Sequence, residues 1–290
     1  MLASILSQFA YIIDAGALIA WGITSPGTIV GLMSLAGIFY SNMQTAMQMI
    51  SSIRSSKPII DKMLPIDNAD IEIDNLKSVK EISICDLSFS YEDRTEPVIK
   101  SKTYNFITGN KYLIKGKSGC GKSTLLKLIS GRLIPSSGIV QYDSQDISEI
   151  NQVALTNIYA YVDQNVHIFD GTIKYNITLG RDVPEAEYKE AIKIADLSEY
   201  ISLKEEKDNF ELKPDKSNIS GRQAQRIAIA RAICSGRKIF FMDEALSGCD
   251  ILTARKVEKS LIGMNETTLF MVSHRNDVEY EKMYDEVINV

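Results

Sequence analysis

The chain has 290 residues, with 32 Lys and Arg against 37 Asp and Glu and a formal net charge of −5. Because single hydrophobic cores usually stop growing near about 250–300 residues, this length leaves room for more than one domain. The acidic balance argues against a nucleic-acid partner, which normally requires a basic face. The four cysteines lack CxxC spacing and only two histidines are present, which disfavours a disulfide framework or a zinc site and indicates free thiols in a reducing compartment.

The amino-terminal segment is strongly hydrophobic. From Met1 to Ile53 the only formally charged side chain is Asp14. The stretch from Leu2 to Ile23 has the roughly 20 residues needed to cross a bilayer. Residues 24–28, with the sequence TSPGT, then interrupt it with turn-forming types. This pattern predicts a first membrane helix that ends at a turn.

A second apolar arm runs from Ile29 to Tyr40 and then becomes amphipathic before the first cations, Arg54 and Lys57. Because cations next to a membrane helix favour the cytoplasmic side, we predict a membrane helical hairpin over residues 1–64, in contact with cell-membrane lipid, with the remaining chain in the cytoplasm. A cleaved signal peptide would need a basic amino end and one short apolar run, and neither is present. A buried soluble hairpin stays open as an alternative, because glycines and polar residues interrupt both arms.

Residues 65–80 are acidic, rich in Asp and Asn, and show no sustained helical or strand period, so they are predicted to form a linker. After the linker, Ile82, Ile84 and Leu87 begin an alternating strand pattern. Strands and helices then alternate to the end of the chain. This alternation predicts an α/β domain over residues 81–290.

The most informative motif is Gly116–Ser123, which fits the pattern G-x-x-x-x-G-K-[ST]. A strand-like segment, Tyr112–Ile114, leads into it, and an apolar helical segment, Ser123–Ser130, follows it. Glycines allow consecutive backbone N–H groups to turn inward around phosphate oxygens, and the helix amino end adds positive partial charge. Lys122 is therefore expected to reach the β- and γ-phosphates, and the Ser123 hydroxyl to bind Mg²⁺.

A buried strand that ends in two acids is predicted further along the chain. The apolar residues Ile239–Met242 lead directly into Asp243 and Glu244. Open α/β sheets bind their ligands beyond the carboxyl ends of the strands, so the two acids should face such a ligand. Asp243 is predicted to hold Mg²⁺, and Glu244 to orient and polarise an attacking water.

With these motifs in place, residues 81–290 resemble the ATP-binding cassette of the ABC transporter family, and further motifs follow in the family's order. Tyr91 stands where the family has an aromatic ring that stacks on adenine. Gln164 matches the glutamine that contacts Mg²⁺ or water and senses the membrane part. Residues 219–223, with the sequence ISGRQ, resemble the signature sequence, and His274 matches the switch histidine.

The resemblance implies an α/β P-loop NTPase cassette, with a mixed sheet core and a helical subdomain, that follows an all-α membrane hairpin. It implies ATP and Mg²⁺ as ligands and a second cassette, identical or different, as a head-to-tail partner. The expected catalytic residues are Lys122, Gln164, Glu244 and His274, and the expected metal ligands are Ser123, Gln164 and Asp243. The expected nucleotide contacts are Tyr91, Gly116, Lys117, Ser118, Gly119, Cys120, Gly121, Lys122, Ser123, Thr124, Ser220, Gly221 and Gln223.

Residues 163–177 are similar to the segment that follows the glutamine in exporters, whose membrane helices also precede the cassette. This implies an ATPase that couples cassette pairing to export through other membrane helices. The sequence departs from the exporter pattern in three ways. Arg222 replaces the second signature glycine, and residues 212–218 lack the glycines and the glutamate of exporters. Only about two helices precede the cassette, where an exporter half usually has six. A fragment, a truncated product or a subunit that needs other membrane chains is therefore expected. A catalytically impaired or regulatory subunit, and a soluble non-transport ATPase, remain alternatives.

Overall fold

The computed structural model divides the chain into two compact units, residues 1–70 and 71–290. The structure describes residues 17–63, 79–92, 96–215, 217–273 and 278–290. Most of the predicted linker, residues 65–80, therefore lies outside the described residues, and the predicted domain boundaries stay predictions.

The main element of the first unit is a single helix, α1 (Pro26–Met63), of 38 residues. At about 1.5 Å per residue it is about 57 Å long. Proline suits the first helical position, because its missing N–H would have no helical acceptor there. Ser25 Oγ accepts from the Thr28 N–H at 3.3 Å and so satisfies one of the free donors of the first turn.

The chain breaks before α1 slightly earlier than the sequence predicts. Residues 17–20 are helical and residues 21–25 form the turn, so Gly27 and Thr28 lie inside α1 and not in the break. The second arm and its amphipathic continuation form one continuous helix. Most of the predicted first arm, Leu2–Ile23, lies outside the described residues. Within the described ranges, no helix combines the length and the hydropathy that crossing a membrane would require.

The second unit contains an antiparallel sheet, a parallel sheet and a two-stranded ribbon. The strands are β1 (Glu81–Phe89), β2 (Ile99–Ile107), β3 (Lys111–Lys115), β4 (Ser137–Tyr142), β5 (Gln145–Asp146), β6 (Tyr159–Val162), β7 (Gly171–Thr172), β8 (Glu211–Leu212), β9 (Ile239–Asp243), β10 (Thr268–Val272) and β11 (Glu286–Asn289). The antiparallel sheet has the order β2-β1-β4-β5, the parallel sheet β11-β3-β10-β9-β6, and the ribbon pairs β7 with β8. Every residue of β9 and β10 is buried, as expected for central parallel strands covered on both faces.

Helices cover the sheets and build a helical part beside them. They are α2 (Lys122–Ile129), α3 (Gln152–Ile158), α4 (Ile173–Thr178), α5 (Glu185–Ile194), α6 (Ser198–Ser202), α7 (Gly221–Ile233), α8 (Ile251–Ile262) and α9 (Val278–Glu281), with single 3₁₀ turns at Ile147–Glu149 and Lys207–Asn209. The predicted fold class, an α/β cassette with mixed sheets and helices, is confirmed.

An aromatic cluster joins the two sheets at the core of this unit. The ring centroid of Phe270 lies 5.0 Å from each of those of Phe106, Tyr112 and Phe241. All four side chains are almost fully buried. Aromatic pairs at such distances contribute about 0.5–1.5 kcal/mol each beyond their buried area. The cluster therefore holds β3, β9 and β10 in a fixed relation.

The register of these strands places their carboxyl ends at one edge of the sheet. In β10, Val272 pairs with Ile114 of β3 on one side and with Asp243 of β9 on the other. The loop that follows β3 and the acids that end β9 therefore emerge at the same edge. This is where open α/β sheets hold their ligands.

Candidate nucleotide site

The loop between β3 and α2 strongly favours glycine at two of its positions. Gly116 has φ +155° and a Cβ there would lie 2.5 Å from Cys120 Sγ. Gly121 has φ +107° and a Cβ there would lie 2.8 Å from Val98 Cγ1. Residues with side chains rarely adopt such φ values. The close turn that the motif predicts is therefore present and is enforced by backbone geometry.

Lys122 begins α2 with its ammonium group folded over the loop. Its Nζ donates to the carbonyl oxygens of Gly116 at 3.1 Å and Lys117 at 3.0 Å. The residue is 4% exposed. These bonds hold the positive charge at the mouth of the loop, where the first N–H groups of α2 also point.

One cavity of about 180 Å³ opens above this loop. Its described lining consists of Tyr91, Val98, Ser118, Gly119, Gly121, Lys122, Ser123, Thr124 and Glu244. The structure thus brings most of the predicted nucleotide contacts together with the predicted catalytic glutamate. Tyr91 lies at the rim, with its hydroxyl 3.2 Å from Thr124 Oγ1 and its ring edge-on to Phe89.

Asp243 and Ser123 form the candidate metal site. Ser123 Oγ donates to Asp243 Oδ1 at 2.7 Å. Asp243 is 5% exposed, and burial raises the pKa of its carboxyl above the ordinary value. Hydroxyl and carboxylate oxygens are the ligand types that Mg²⁺ prefers. Groups of three or more metal-binding His, Cys, Asp or Glu side chains do not occur in the described part of the chain, so a cation here would take further ligands from the Gln164 amide oxygen, phosphate oxygens or water.

Glu244 follows Asp243 in a strained backbone conformation. Its φ is +51°, which is uncommon for a residue with a side chain and recurs at functional sites. Gln164 Nε2 donates to Glu244 Oε2 at 3.0 Å. The pairing of β6 with β9, which sets Val162 beside Met242, brings these two side chains together. The predicted catalytic glutamate and glutamine are therefore in direct contact.

Tyr161 is a site residue that no sequence motif singled out. Its hydroxyl donates to Asp243 Oδ2 at 3.3 Å, so Asp243 accepts from both Ser123 and Tyr161. Burial, followed by the charges of Asp243 and Asp163, raises the pKa of Tyr161, which therefore stays a proton donor. The position of Tyr161 could have indicated this contact, because a tyrosine near the end of a parallel strand can reach an acid that ends the neighbouring strand.

Arg132 connects Tyr161 to the segment that carries Gln164. Its guanidinium carbon lies 3.8 Å from the centroid of the Tyr161 ring. The same guanidinium donates from Nη1 to Asp163 Oδ2 at 2.8 Å. A continuous set of contacts thus runs from Asp243 through Tyr161 and Arg132 to the residue just before Gln164.

The signature segment lies apart from this cavity within one chain. Ser220 caps α7: its Oγ accepts from the Gln223 N–H at 3.3 Å, and its own N–H donates to Gln223 Oε1 at 3.0 Å. Gly221 faces open space, and Arg222 is exposed. None of the predicted signature contacts lines the loop cavity, and Gln223 has a capping role that the sequence analysis did not anticipate.

His274 lies outside the described residues. Ser273 follows the last residue of β10, and its N–H donates to the Ile114 carbonyl at 3.5 Å. The predicted switch position thus follows the strand that lies between β3 and β9.

The glycine loop lies between a parallel strand and a helix, and its serine bonds to an acid at the end of a second parallel strand. This arrangement defines a P-loop nucleotide-binding domain. The sequence profile of the ABC transporter family matches residues 99–247, more than half of the chain. The chain therefore belongs to the ABC transporter family, and its resemblance to exporter-type half-transporters is confirmed.

Relatives agree with this assignment, and a solved structure agrees with the fold. The chain is 34% identical to a putative export ATP-binding/permease protein of Rickettsia bellii, over 75% of this chain and 38% of that protein. It is 34% identical to the lactococcin-G-processing and transport ATP-binding protein LagD of Lactococcus lactis, over 76% of this chain and 31% of LagD. A bacterial Atm1-family ABC exporter with ATP bound has the same fold, with a TM-score of 0.70 and 23% identity over 100% of this chain and 53% of its own. The chain spans less than half the length of the two curated relatives.

Proposed function

We propose that this chain binds Mg-ATP, pairs head to tail with a second cassette around the nucleotide, and hydrolyses ATP to ADP and phosphate to drive export across the cell membrane. The observation that carries the proposal is the single cavity that contains Lys122, Ser123 and Glu244, with Ser123 bonded to Asp243. These are the groups that phosphoryl transfer needs: a phosphate cradle, metal ligands and a base.

Each side chain has a separate part in the proposed reaction. The loop N–H groups and Lys122 bind the β- and γ-phosphates, and the ring of Tyr91 stacks on the base. Mg²⁺, when bound by Ser123 and Asp243, would neutralise phosphate charge as it develops. Gln164 orients the Glu244 carboxylate through their 3.0 Å bond. Glu244 accepts a proton from water as the water oxygen bonds to the γ-phosphorus and the bond to the β-phosphate oxygen of ADP breaks.

The signature segment supports pairing in trans. Gly221 starts a helix of 13 residues, and added atoms at its Cβ position would meet nothing within 4 Å. An exposed helix amino end is suited to bind phosphate oxygens from another molecule. Since the predicted signature contacts do not line the chain's own loop cavity, we infer that Ser220 and Gly221 complete the site of a partner cassette.

We also propose that the protein acts at a membrane, because the names of its relatives describe export permeases. In this proposal the apolar part of α1 contacts lipid and other membrane helices, the protein is multi-pass in the plasma or inner membrane, and the cassette is cytoplasmic. Closure of the cassette pair would be passed to those helices near Gln164.

The substitution Glu244→Gln tests the proposed chemistry. It should preserve ATP binding and slow hydrolysis by at least about 10²-fold, the scale expected for loss of a positioned base. The measurements are nucleotide titration and steady-state phosphate release on the full chain in detergent. Glu205→Gln, at an exposed glutamate outside the cavity, is the matched control and should leave turnover unchanged. Normal turnover in Glu244→Gln would remove Glu244 from the base role.

A second candidate function, a catalytically impaired or regulatory subunit, is favoured by one observation. Arg222 stands exposed in the first turn of α7, where a bulky cation replaces the signature glycine. The same phosphate-release assay separates the two candidates. An unmodified chain that binds ATP and hydrolyses it no faster than Glu244→Gln would support the regulatory role.

A further inference from the structure

Gln225 is a buried polar side chain on the signature helix α7. The residue is 7% exposed, and Ala224, Ile227 and Ala228 of the same helix are buried as well. A primary amide in such surroundings costs free energy unless its oxygen and its nitrogen both find hydrogen-bond partners. The Gln225 amide therefore requires fixed partners in the surrounding structure.

Both partners of the Gln225 amide lie in the segment that follows the proposed base. Gln225 Oε1 accepts from the Gly248 N–H at 3.1 Å, and Nε2 donates to Ser247 Oγ at 3.3 Å. The Gly248 N–H can only donate, so it fixes which end of the amide is the oxygen. A Cβ at Gly248 would lie 3.0 Å from Gln225 Oε1, so the amide packs directly against the backbone. One side chain of α7 thus holds two consecutive residues of this segment.

Ser247 closes a turn that begins at Glu244, and Gly248 follows that turn. The Ser247 N–H donates to the Glu244 carbonyl at 3.0 Å. Glu244 has φ +51°, an uncommon conformation that the surrounding structure must support. Gln164 holds the carboxylate of Glu244, whereas Gln225 holds the far end of the turn. The proposed base is therefore held from two sides, by side chains of two different segments.

The helix that carries Gln225 also carries the signature residues. Ser220 is the cap of α7 and Gly221 is its first residue, so Gln225 lies five positions after the cap. At about 1.5 Å per residue, the two positions are about 7.5 Å apart along one helix. A displacement of the amino end of α7 therefore moves Gln225 with it. The two bonds of the amide would pass that displacement to the Glu244 turn.

We propose that Gln225 is a positioning residue for ATP hydrolysis, which sets Glu244 in place by tying its turn to the signature helix. The inference rests on the proposed function, in which Glu244 is the base. Gln225 is not among the described residues that line the loop cavity, so it acts through Ser247 and Gly248 and not on the nucleotide. Its loss should therefore slow the catalytic step and leave ATP binding to the glycine loop nearly unchanged.

The first test is steady-state ATP hydrolysis by the full chain in detergent. Gln225→Met keeps the length of the side chain but removes both bonds, so it should lower kcat at least about tenfold while KM for ATP changes less than about threefold. Ser247→Ala removes one of the two bonds and should lower kcat less. The double variant should be no slower than Gln225→Met alone, because residues that act through a shared bond are not additive.

Thr268→Val is the matched control for lost stability. Thr268 is 1% exposed, and its Oγ1 accepts from the Gly109 N–H at 2.8 Å. It pairs with Ile239, at the opposite end of β9 from Asp243. The isosteric change removes a buried bond to a glycine N–H, as Gln225→Met does, but should leave kcat and KM unchanged. A loss of kcat that follows the thermal midpoint equally in both variants would overturn the proposal.

A second test, amide hydrogen exchange of residues 245–250, requires no turnover and so separates this inference from the proposed function. In the nucleotide-free full chain, Gln225→Met should exchange these amides at least about tenfold faster than the unmodified chain, whereas Thr268→Val should not. An unmodified chain that hydrolysed no ATP would refute the proposed function, and the exchange would then decide by itself whether Gln225 holds the Glu244 turn. Unchanged exchange in Gln225→Met, unchanged kcat in that variant of an active chain, or additive losses in the double variant would each overturn the inference.

Discussion

Removal of the Tyr161 hydroxyl tests the contact that the sequence analysis missed. Tyr161→Phe deletes the donor of the 3.3 Å bond to Asp243 Oδ2 and keeps the ring against which Arg132 packs. Ser123 would then be the single side-chain donor to Asp243 that the described residues supply. Because the bond favours the charged carboxylate, its loss should raise the pKa of Asp243 further above its ordinary value.

The size of the effect follows from the length of the bond. Hydrogen bonds to charged groups contribute about 1.5–3 kcal/mol, and 3.3 Å is long for a bond between two oxygens. We therefore expect the low end, a loss of about 1.5 kcal/mol in the free energy of unfolding near neutral pH. The same loss of support for a metal ligand should raise the Mg²⁺ concentration at half-maximal ATP hydrolysis about tenfold.

The assays are urea unfolding followed by circular dichroism and Mg²⁺ titration of phosphate release, both on the full chain in detergent. Tyr104→Phe is the matched control, since its hydroxyl also makes a 3.3 Å bond, to the neutral Asn289 carbonyl. The control should cost about 0.5–1 kcal/mol and leave the Mg²⁺ dependence unchanged. Equal losses in both variants, together with an unchanged Mg²⁺ dependence in Tyr161→Phe, would refute the reasoning.

Three further predictions concern the loop, the buried acid and the signature. Gly121→Ala should destabilise the chain by about 1–3 kcal/mol more than Gly109→Ala. Both glycines have positive φ, but only a methyl group at position 121 would contact Val98. Equal thermal midpoints of the two variants would argue against that close approach. Burial raises the pKa of Asp243, so its contribution to stability is fully present below the ordinary value of 3.8 and is lost as pH rises through the folded-state pKa. Urea unfolding from about pH 4 to about pH 7 should therefore show the wild type losing stability relative to Asp243→Asn, and the opposite trend would count against burial as the dominant cause. Arg222→Gly should change ATP-dependent pairing in the Glu244→Gln background by less than tenfold, about 1.4 kcal/mol, when measured by sedimentation, because the Arg222 side chain is exposed; a larger shift in either direction would place it at the interface.

The sequence by itself determined the class of the cassette and the positions of its glycine loop and its two strand-end acids. The glycines around Lys122 occupy backbone conformations that other residues rarely adopt, so the spacing of the glycines predicts the shape of the loop. The acids after Ile239–Met242 were placed correctly because carboxyl ends of parallel strands meet at one edge. The family's motif order singled out Gln164 and Glu244 separately, and only the structure shows that Gln164 Nε2 donates to Glu244 Oε2.

Only the tertiary structure decided which residues from distant parts of the chain meet. Tyr161 reaches Asp243 because β6 lies beside β9, and strand order within a sheet is not encoded in either strand alone. For Ser220, the sequence pattern indicated a phosphate contact. The fold shows in addition that Ser220 forms a capping box with Gln223 and does not line the loop cavity of its own chain. Local motifs indicate which backbone conformations a segment needs. Contacts between elements depend instead on how the helices and strands pack to bury their apolar faces.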